Sequence, residues 1–384
     1  MQGAALDAPW VGATPAPVPA HAASAPVAAA PPMPPSVPAS VPASVPASVP
    51  ESVRSGIVSA KPRTSRDVLA GIIHRRNAMP GVDQRLATSF DPLDDVLGGG
   101  FAPQDLVLLG GKPGVGKTIA LVQWARSFAV AGHRVVFASY ELSEANLLGR
   151  LLTSEIGTRS RHLPEEDRRS VTRVIRDSVR SGSVSDDPLV RSVIRQAYDS
   201  IDDYADRLLL QRVSGYHTGP HELADLAADW VGPGGVLVVD YLQKVPVKGA
   251  KDDSDRVLTV AESLKETAMT HDVCVVAAAA VSADGLGHRR LRLEHLRGSA
   301  LLAHEVDLAI AMNEKQTALS KTHLAYDPHL FESAQNQIVF SIEKNREGPA
   351  NVHLEFFKQF EDYRFDPHGG YVMQRLTDDI FDEA

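Results

Sequence analysis

Short apolar runs separated by segments of helical periodicity form the main pattern of this chain beyond residue 100. Runs of the kind that fill buried strands lie at residues 106–109, 134–140, 236–239, 273–280, 306–312, 337–342 and 352–357. Residues 142–231 are mostly helical in pattern, and a cluster of turn-forming residues at 181–188 indicates a loop or an insertion. Strands that alternate with helices predict an α/β fold with a largely parallel central sheet and helices on both faces.

The first apolar run leads into a phosphate-binding signature. It ends in glycines and continues as Gly111-x-x-x-x-Gly116-Lys117-Thr118, followed by a helical pattern. Strand, loop and helix in this order are the context in which the Walker A signature wraps backbone N–H groups around a polyphosphate. The predicted nucleotide-binding residues are Gly111, Lys112, Pro113, Gly114, Val115, Gly116, Lys117, Thr118 and Ile119. A chance glycine-rich turn is the alternative, but the complete signature in these flanks favours ATP as the ligand.

Metal-binding residues are predicted beside this loop. Lys117 is expected to reach the β- and γ-phosphates, and the Thr118 hydroxyl to hold Mg²⁺. Asp240 ends the apolar run at 236–239, which is the position of a Walker B acid, and is expected to hold the Mg²⁺ shell through water. The alternative for Asp240 is an acid that caps the next helix.

Hydrolysis also requires a group that orients or deprotonates the attacking water. Glu141 ends the apolar run at 134–140 and is the candidate for this role, with an ordinary exposed acid as the alternative. Glu144, one helical turn later, is expected to be solvated.

A short amphipathic pattern at residues 61–80 precedes the phosphate loop. Apolar positions 68, 69, 72 and 73 fall on one face of a helix with arginines on the other, and Ser65 is placed to cap it. The apolar face needs a packing partner. Its own domain and a neighbouring subunit are both open possibilities on this pattern alone.

The N-terminal segment, residues 1–60, has a different composition. Half of the chain's 26 prolines lie before residue 54, Val-Pro-Ala-Ser occurs three times in succession from Val37, and no Lys or Arg occurs before Arg54. Such a segment cannot bury an apolar face and favours extended polyproline II structure. We predict a disordered spacer, with a docking role for a protein partner as the alternative.

Charge and cysteine usage limit the function classes. The formal net charge is −9, so DNA contact would have to be local, made by a few cations on loops. Cys274 is the single cysteine and is expected to be buried in a strand in a reducing compartment. Neither a signal peptide nor a membrane span is predicted, which favours a cytoplasmic protein.

The motifs taken together resemble the C-terminal RecA-like ATPase domain of DnaB-type replicative helicases. They are the phosphate loop, Tyr140-Glu141-Leu142-Ser143, Asp240-Tyr241-Leu242-Gln243, Leu296-Arg297-Gly298-Ser299 with Glu305-Val306-Asp307, and Lys344-Asn345-Arg346-Glu347-Gly348-Pro349. The resemblance covers about residues 63–367. It implies a RecA-like P-loop ATPase domain at 81–375, preceded by the tail at 1–60 and a linker helix at 61–80, and followed by an acidic end at 376–384.

The resemblance also implies partners. It implies a homo-oligomeric ring, a hexamer in the family, with ATP between subunits and the linker helix docked on the adjacent subunit. Lys344 and Arg346 match the family's trans-acting basic finger, which neutralises charge on the γ-phosphate of the next subunit; a solvated pair of cations is the alternative. Single-stranded DNA would meet cations of two loops at Lys248, Lys251, Arg297 and Gly298, although charged loops of this kind are often only solvated.

Three departures from the family pattern bear on whether this chain couples ATP hydrolysis to movement on DNA. Ala279-Ala280-Val281 stands where the family has a glutamine that senses the γ-phosphate, Gly298 replaces an acid after Arg297, and the tail stands in place of the N-terminal helical domain. Two hypotheses therefore remain. The first is a ring-forming, Mg²⁺-dependent ATPase that moves on or remodels single-stranded DNA. The second is a nucleotide-controlled assembly or signalling ATPase that no longer translocates.

Overall fold

The computed structural model describes residues 64–78, 85–164, 166–168, 171, 174, 187–319 and 328–377. Its α-helices are α1 (Ser65–Ala78), α2 (Asp91–Val96), α3 (Lys117–Val130), α4 (Glu144–Arg159), α5 (Pro188–Ala205), α6 (Pro220–Leu226), α7 (Asp253–His271), α8 (Ser299–Glu305), α9 (Lys315–Ala318) and α10 (Pro328–Gln335). The predicted tail at 1–60, most of the turn-forming cluster at 181–188 and residues 378–384 lie outside the described residues.

One ten-stranded sheet forms the centre of the fold. Its strands are β1 (Leu106–Gly111), β2 (Val135–Ser139), β3 (Leu208–Arg212), β4 (Val236–Asp240), β5 (Cys274–Ala279), β6 (Leu308–Glu314), β7 (Gln337–Asn345), β8 (Val352–Gln359), β9 (Arg364–Phe365) and β10 (Gly370–Tyr371). They are ordered β10-β8-β7-β6-β1-β5-β4-β2-β3, with β9 paired to β8. Strands β6 to β3 along this order are parallel, and β7, β8 and β10 are antiparallel, so the predicted α/β class with a mostly parallel sheet is confirmed.

The central strands are buried on both faces, which explains why they read as continuous apolar runs. Alternate residues of β1 enter different cores: Val107 and Leu109 pack on the face that holds Trp124, whereas Leu106 and Leu108 pack on the opposite face. All six residues of β1 and all six of β5 are buried, and Cys274 is buried in β5 as predicted. The sheet is therefore held from both sides, and this rigidity fixes the loops at its edges.

An aromatic cluster anchors the antiparallel extension to helix α3. The ring of Phe90 lies 6.1 Å from Trp124, 6.0 Å from Phe340 and 4.9 Å from Phe356, measured between centroids. These side chains are fully buried, and each buries a large apolar area. Strands β7 and β8 are consequently packed on the same face as the helix that begins at the phosphate loop.

Strand β3 was not anticipated in the mostly helical region at 142–231. Leu208 to Arg212 pair in parallel with β2, yet none of the five residues is fully buried. A half-buried edge strand lacks the continuous apolar run that marks the central strands, and its backbone pairing with β2 decides its conformation.

Helix α1 is present within the predicted linker at 61–80, with one correction to its start. Thr64, rather than Ser65, caps it: the Thr64 Oγ1 accepts from Asp67 N at 3.2 Å, and the Asp67 carboxylate accepts from Thr64 N at 3.0 Å. The side chains of Leu69 and Ile73 are exposed. Within the described part of the chain, no helix combines the length and apolar character needed to cross a membrane.

Candidate functional site

The phosphate loop connects the carboxyl end of β1 to the first turn of α3. Gly114 and Gly116 have φ angles of 81° and 103°, a region that favours glycine, and a Cβ on Gly116 would lie 2.6 Å from the Phe365 ring. Val115 and Ile119 are buried, so they anchor the loop while its backbone curves around the start of α3. The loop geometry offers N–H groups and a helix N-terminus on one side, which suits a polyphosphate.

Lys117 lies across the mouth of this loop. Its Nζ donates to the Gly111 carbonyl at 2.6 Å and to the Lys112 carbonyl at 3.1 Å. Burial lowers the pKa of Lys117, while the carboxylates of Asp240 and Glu141 raise it. Lys112 points elsewhere, because its Nζ donates to the Leu286 carbonyl at 3.1 Å. Of the two loop lysines, Lys117 is therefore the one held over the phosphate-binding backbone.

Asp240 and Thr118 meet beside the loop. The Thr118 Oγ1 donates to Asp240 Oδ2 at 2.8 Å, and the Asp240 residue is 2 % exposed. Burial raises the pKa of Asp240, and the hydrogen bond from Thr118 lowers it. A hydroxyl and a carboxylate oxygen in contact are the ligand types that Mg²⁺ takes at triphosphate sites, with phosphate oxygens and waters completing the shell. The described residues contain no cluster of three or more His, Cys, Asp or Glu suited to a metal held by protein alone.

Glu141 lies two residues after β2, at the same end of the strands as the phosphate loop, and is exposed. Its backbone N donates to Ser139 Oγ at 3.3 Å, and its charge acts on both Lys117 and Asp240. Glu144 is exposed, as expected, and its Oε1 also accepts from Arg212 N at 2.7 Å, which ties α4 to the end of β3. The structure thus brings Glu141 to the phosphate loop and gives Glu144 a structural contact.

Arg150 is a neighbour of this site that the motif pattern did not single out. Its positive charge lowers the pKa of Asp240, and its guanidinium lies 5.3 Å from the centroid of the Tyr363 ring. A sequence signal exists, since Arg150 lies seven residues after Ser143, the cap of α4, and two helical turns return to the same face.

Lys344 and Arg346 lie at the opposite end of the strands from the phosphate loop. Lys344 is inside β7 rather than after it, and its Nζ donates to the carbonyls of Ala303 and Val306, both at 2.6 Å. Arg346 donates to Asp307 Oδ1 at 2.8 Å. Both cations therefore bind around the end of α8, where the helix dipole favours positive charge.

The contacts of Asp307 show how far these cations lie from the phosphate loop of the same chain. Its Oδ2 accepts from Leu106 N at 2.8 Å, at the start of β1, whereas the loop follows Gly111 at the end of β1. Five steps of about 3.3 Å along the strand separate the two ends by about 17 Å. Lys344 and Arg346 therefore lie at the opposite end of β1 from the phosphate loop of their own chain.

Asp105 beside this edge provides a prediction on stability. Burial and the carboxylates of Asp307 and Glu347 raise the pKa of Asp105 from its ordinary value of 3.8 to about 6. The folded protein holds this proton more tightly than the unfolded chain, so Asp105 costs stability progressively as pH rises from about 4 to about 6 and fully above that. Asp105→Asn is expected to raise the free energy of unfolding at pH 7.5 by about 1–2 kcal/mol.

Denaturant unfolding at pH 7.5 and pH 4.5 measures this effect. The gain should shrink at the lower pH, where the wild-type carboxyl is protonated in the folded state. Asp202→Asn, an exposed residue of α5, is the matched control for the change in net charge. An equal gain at both pH values would contradict the assignment to Asp105 ionisation.

The two predicted DNA-contacting stretches lie next to each other at the carboxyl edge. Lys248 and Lys251 are exposed, and Arg297 forms an ion pair with Asp253 at the start of α7. Gly298 has a φ of 82°, and a Cβ there would lie 2.5 Å from Val257 of the same helix. Helix α7 therefore connects the lysines that precede it to the Arg297 turn.

Gln243 links this region to the strand that lacks the sensor glutamine. Its Oε1 accepts from Ala280 N at 2.8 Å, and its Nε2 donates to the Arg297 carbonyl at 3.3 Å. Ala279 pairs with Gly110 next to the phosphate loop, so the altered position does lie at the site. Sequence reasoning used Gln243 only as part of a motif and did not anticipate its bridging contacts.

The sheet order, the phosphate loop after β1 and the acids at the carboxyl ends of β2 and β4 define a RecA-like P-loop architecture. A solved ATPase domain has the same fold, with a TM-score of 0.62 at 19 % identity, over 79 % of this chain and 99 % of that domain. A DnaB-like replicative helicase, studied with its interactions with primase, has a TM-score of 0.59 at 18 % identity, over 79 % of this chain and 68 % of that one.

Sequence comparison gives the family. Residues 85–193 and 226–365 match the DnaB-like helicase C-terminal domain, well over half of the chain, and the protein belongs to that family. The resemblance seen in the motifs is thereby confirmed.

Curated relatives share a shorter segment. The DNA repair protein RadA of Mycobacterium tuberculosis strain CDC 1551 is 43 % identical over 70 residues, 18 % of this chain and 14 % of RadA. RadA of Campylobacter jejuni is 44 % identical over 63 residues, 16 % of this chain and 14 % of that protein. The chain thus spans only about one seventh of the length of these relatives.

Proposed function

We propose that this protein is a Mg²⁺-dependent ATPase that assembles into a ring, with the hexamer as the expected size, and acts on single-stranded DNA. The observation that carries the ATPase part is the buried contact between Asp240 and Thr118 next to Lys117. A buried carboxylate in contact with the hydroxyl of a phosphate loop is the arrangement that binds a metal–triphosphate complex.

Each residue of the site then has a defined task. Lys117 would donate from its ammonium to β- and γ-phosphate oxygens, and Thr118 and Asp240 would hold Mg²⁺. Mg²⁺ supplies neutralisation of the phosphate oxygens when it is bound. Glu141 would orient the attacking water and accept its proton, since its carboxylate is exposed at the end of β2.

The position of Arg346 favours action between subunits. In its own chain it lies at the edge of the sheet where β1 begins, on the far side from the phosphate loop. Its side chain is 47 % exposed, so it is accessible to a neighbouring subunit. A finger that serves a nucleotide in the next subunit requires at least a dimeric contact, and a closed ring supplies such a contact to every site.

DNA action rests on the arrangement at the carboxyl edge. The exposed Lys248 and Lys251 precede α7, whose first residues contact Arg297, and Gln243 joins Arg297 to the end of β5. DNA phosphates bound by these cations would therefore contact a chain of hydrogen-bonded residues, Arg297 and Gln243, that reaches the end of β5 next to the proposed ATP site. Such contacts are independent of base sequence and weaken with salt.

The second candidate is an assembly ATPase without translocation. Ala280 at the end of β5 cannot donate a side-chain hydrogen bond to a γ-phosphate, and the net charge of −9 does not favour DNA. In this case nucleotide would control ring formation, and the N-terminal tail would recruit a protein partner.

The ATP hydrolysis rate with and without single-stranded DNA, at two salt concentrations, separates these candidates. We expect DNA to stimulate the rate several-fold at low salt and less at high salt, because cation–phosphate contacts release counterions. Asp229→Asn, a change at an exposed residue that precedes β4, is the control variant and should show the same rates as wild type under every condition. A rate that ignores DNA, together with nucleotide-dependent assembly, would support the second candidate.

A further inference from the structure

Residues 213–219 connect β3 to α6 and are called the tyrosine loop here. Tyr216 at its centre is 86 % exposed, although Val213 and Gly219 at its ends are buried. The loop is well braced: Thr218 N donates to the Ser214 carbonyl at 2.9 Å, Ser214 N donates to Thr218 Oγ1 at 3.1 Å, and Tyr216 N donates to Ser214 Oγ at 3.2 Å. An aromatic ring is therefore presented to solvent from a fixed turn.

The tyrosine loop lies against residues 244–251, called the lysine loop here. A Cβ on Gly219 would lie 3.0 Å from the Pro246 carbonyl oxygen, and one on Gly215 would lie 3.8 Å from the Lys244 carbonyl oxygen. The exposed cations of the lysine loop are Lys244, Lys248 and Lys251. Two segments that are distant in sequence thus lie against each other, one carrying an exposed tyrosine and the other three exposed lysines.

The tyrosine loop also contacts Tyr140, which lies next to the proposed ATP site. The Tyr140 hydroxyl donates to the Thr218 carbonyl at 2.7 Å, and Tyr140 N donates to the Asp240 carbonyl at 2.8 Å. Tyr140 directly precedes Glu141. A ligand that shifts the tyrosine loop would consequently shift Tyr140, and with it the neighbouring Glu141, the proposed water-activating residue.

We propose that Tyr216 stacks on an unpaired nucleobase of single-stranded DNA whose phosphates contact the lysine loop. Aromatic rings beside cationic backbone tracks are the general means of holding single strands, because every base offers a π-face. Stacking is compatible with the negative net charge of the chain, since it does not depend on bulk positive potential. The sequence alone offered no aromatic group in either predicted DNA stretch, and the fold supplies one from the β3–α6 connection. The proposal rests on the DNA-binding part of the proposed function.

Fluorescence anisotropy of a labelled deoxythymidine oligonucleotide, titrated with the full-length protein and a non-hydrolysable ATP analogue, tests the proposal. Tyr216→Ala is expected to raise the dissociation constant about tenfold, while Tyr216→Phe keeps wild-type affinity because the ring remains. Tyr198→Ala is the matched control, since this tyrosine of α5 is 56 % exposed and takes no part in either loop.

Salt dependence and an abasic strand distinguish stacking from charge. Tyr216→Ala should leave the slope of log affinity against log salt unchanged, whereas Lys248→Ala should make it shallower. On an abasic strand, wild type and Tyr216→Ala should bind equally.

The possible failures are separable. Wild-type protein that does not bind the oligonucleotide would overturn both the proposed DNA function and this inference. Wild-type binding that Tyr216→Ala leaves unchanged would overturn the stacking role alone. An equal loss in Tyr216→Phe would assign the contact to the hydroxyl, which also overturns stacking.

Discussion

Lys117→Ala is expected to lower the ATP hydrolysis rate by at least about 10²–10³-fold, because a cation aimed at developing phosphate charge is removed from a partly buried site. The Lys117 Nζ already lies on the Gly111 carbonyl at 2.6 Å, above the phosphate-binding backbone. The steady-state rate of phosphate release measures the effect.

The loss should not arise from unfolding. Burial lowers the pKa of Lys117, so its charge costs free energy in the folded state and offsets part of the gain from its two hydrogen bonds; the thermal midpoint should therefore change little. Arg195→Ala removes one cation from the exposed face of α5 and is the control for net charge. Undiminished turnover in purified Lys117→Ala would exclude this loop as the site of hydrolysis.

Arg346→Ala is expected to reduce turnover by about 10³-fold while nucleotide affinity changes little, because a trans-acting finger acts mainly on transition-state charge. The fold should survive the change, since the Arg346 side chain is half exposed and the buried Asp307 keeps Lys265 Nζ at 2.7 Å and Leu106 N at 2.8 Å as partners. Turnover and the affinity for a fluorescent ATP analogue should be measured in parallel.

Mixed rings test whether Arg346 acts on the neighbouring subunit. Glu141→Gln subunits retain Arg346, and Arg346→Ala subunits retain Glu141, so some interfaces in a mixture contain both intact groups and should recover activity. Arg85→Ala is the matched control, because Arg85 pairs with Glu347, adjacent to Arg346, at 2.6 Å. Mixtures that stay as inactive as the separate variants would argue for action within one chain.

The phosphate loop was predictable because its determinants are local. A phosphate loop needs only a strand, a fixed set of glycines and a helix start that are consecutive in the chain, and β1 to α3 provide them. Central strands such as β4 were equally visible, since burial on both faces demands an unbroken apolar run. Asp240 could be placed for the same reason, as it ends such a run.

Errors arose where conformation depends on a distant partner. Strand β3 is specified by pairing with β2 across more than 60 residues of chain, and its half-buried side chains leave a weak pattern. The cap of α1 was assigned to Ser65, one residue too late, because helix boundaries depend on which side chain finds the free N–H groups.

The sequence by itself determined the class of fold, the nucleotide loop and the acids beside it, because these follow from short-range pattern and chemistry. Only the tertiary structure decided where the remaining polar groups act. It placed Arg346 at the start of β1, away from its own phosphate loop, and it brought Tyr216 beside the lysine loop. Strand order and loop packing set these distances, and both depend on contacts between residues far apart in the chain, which no local pattern encodes.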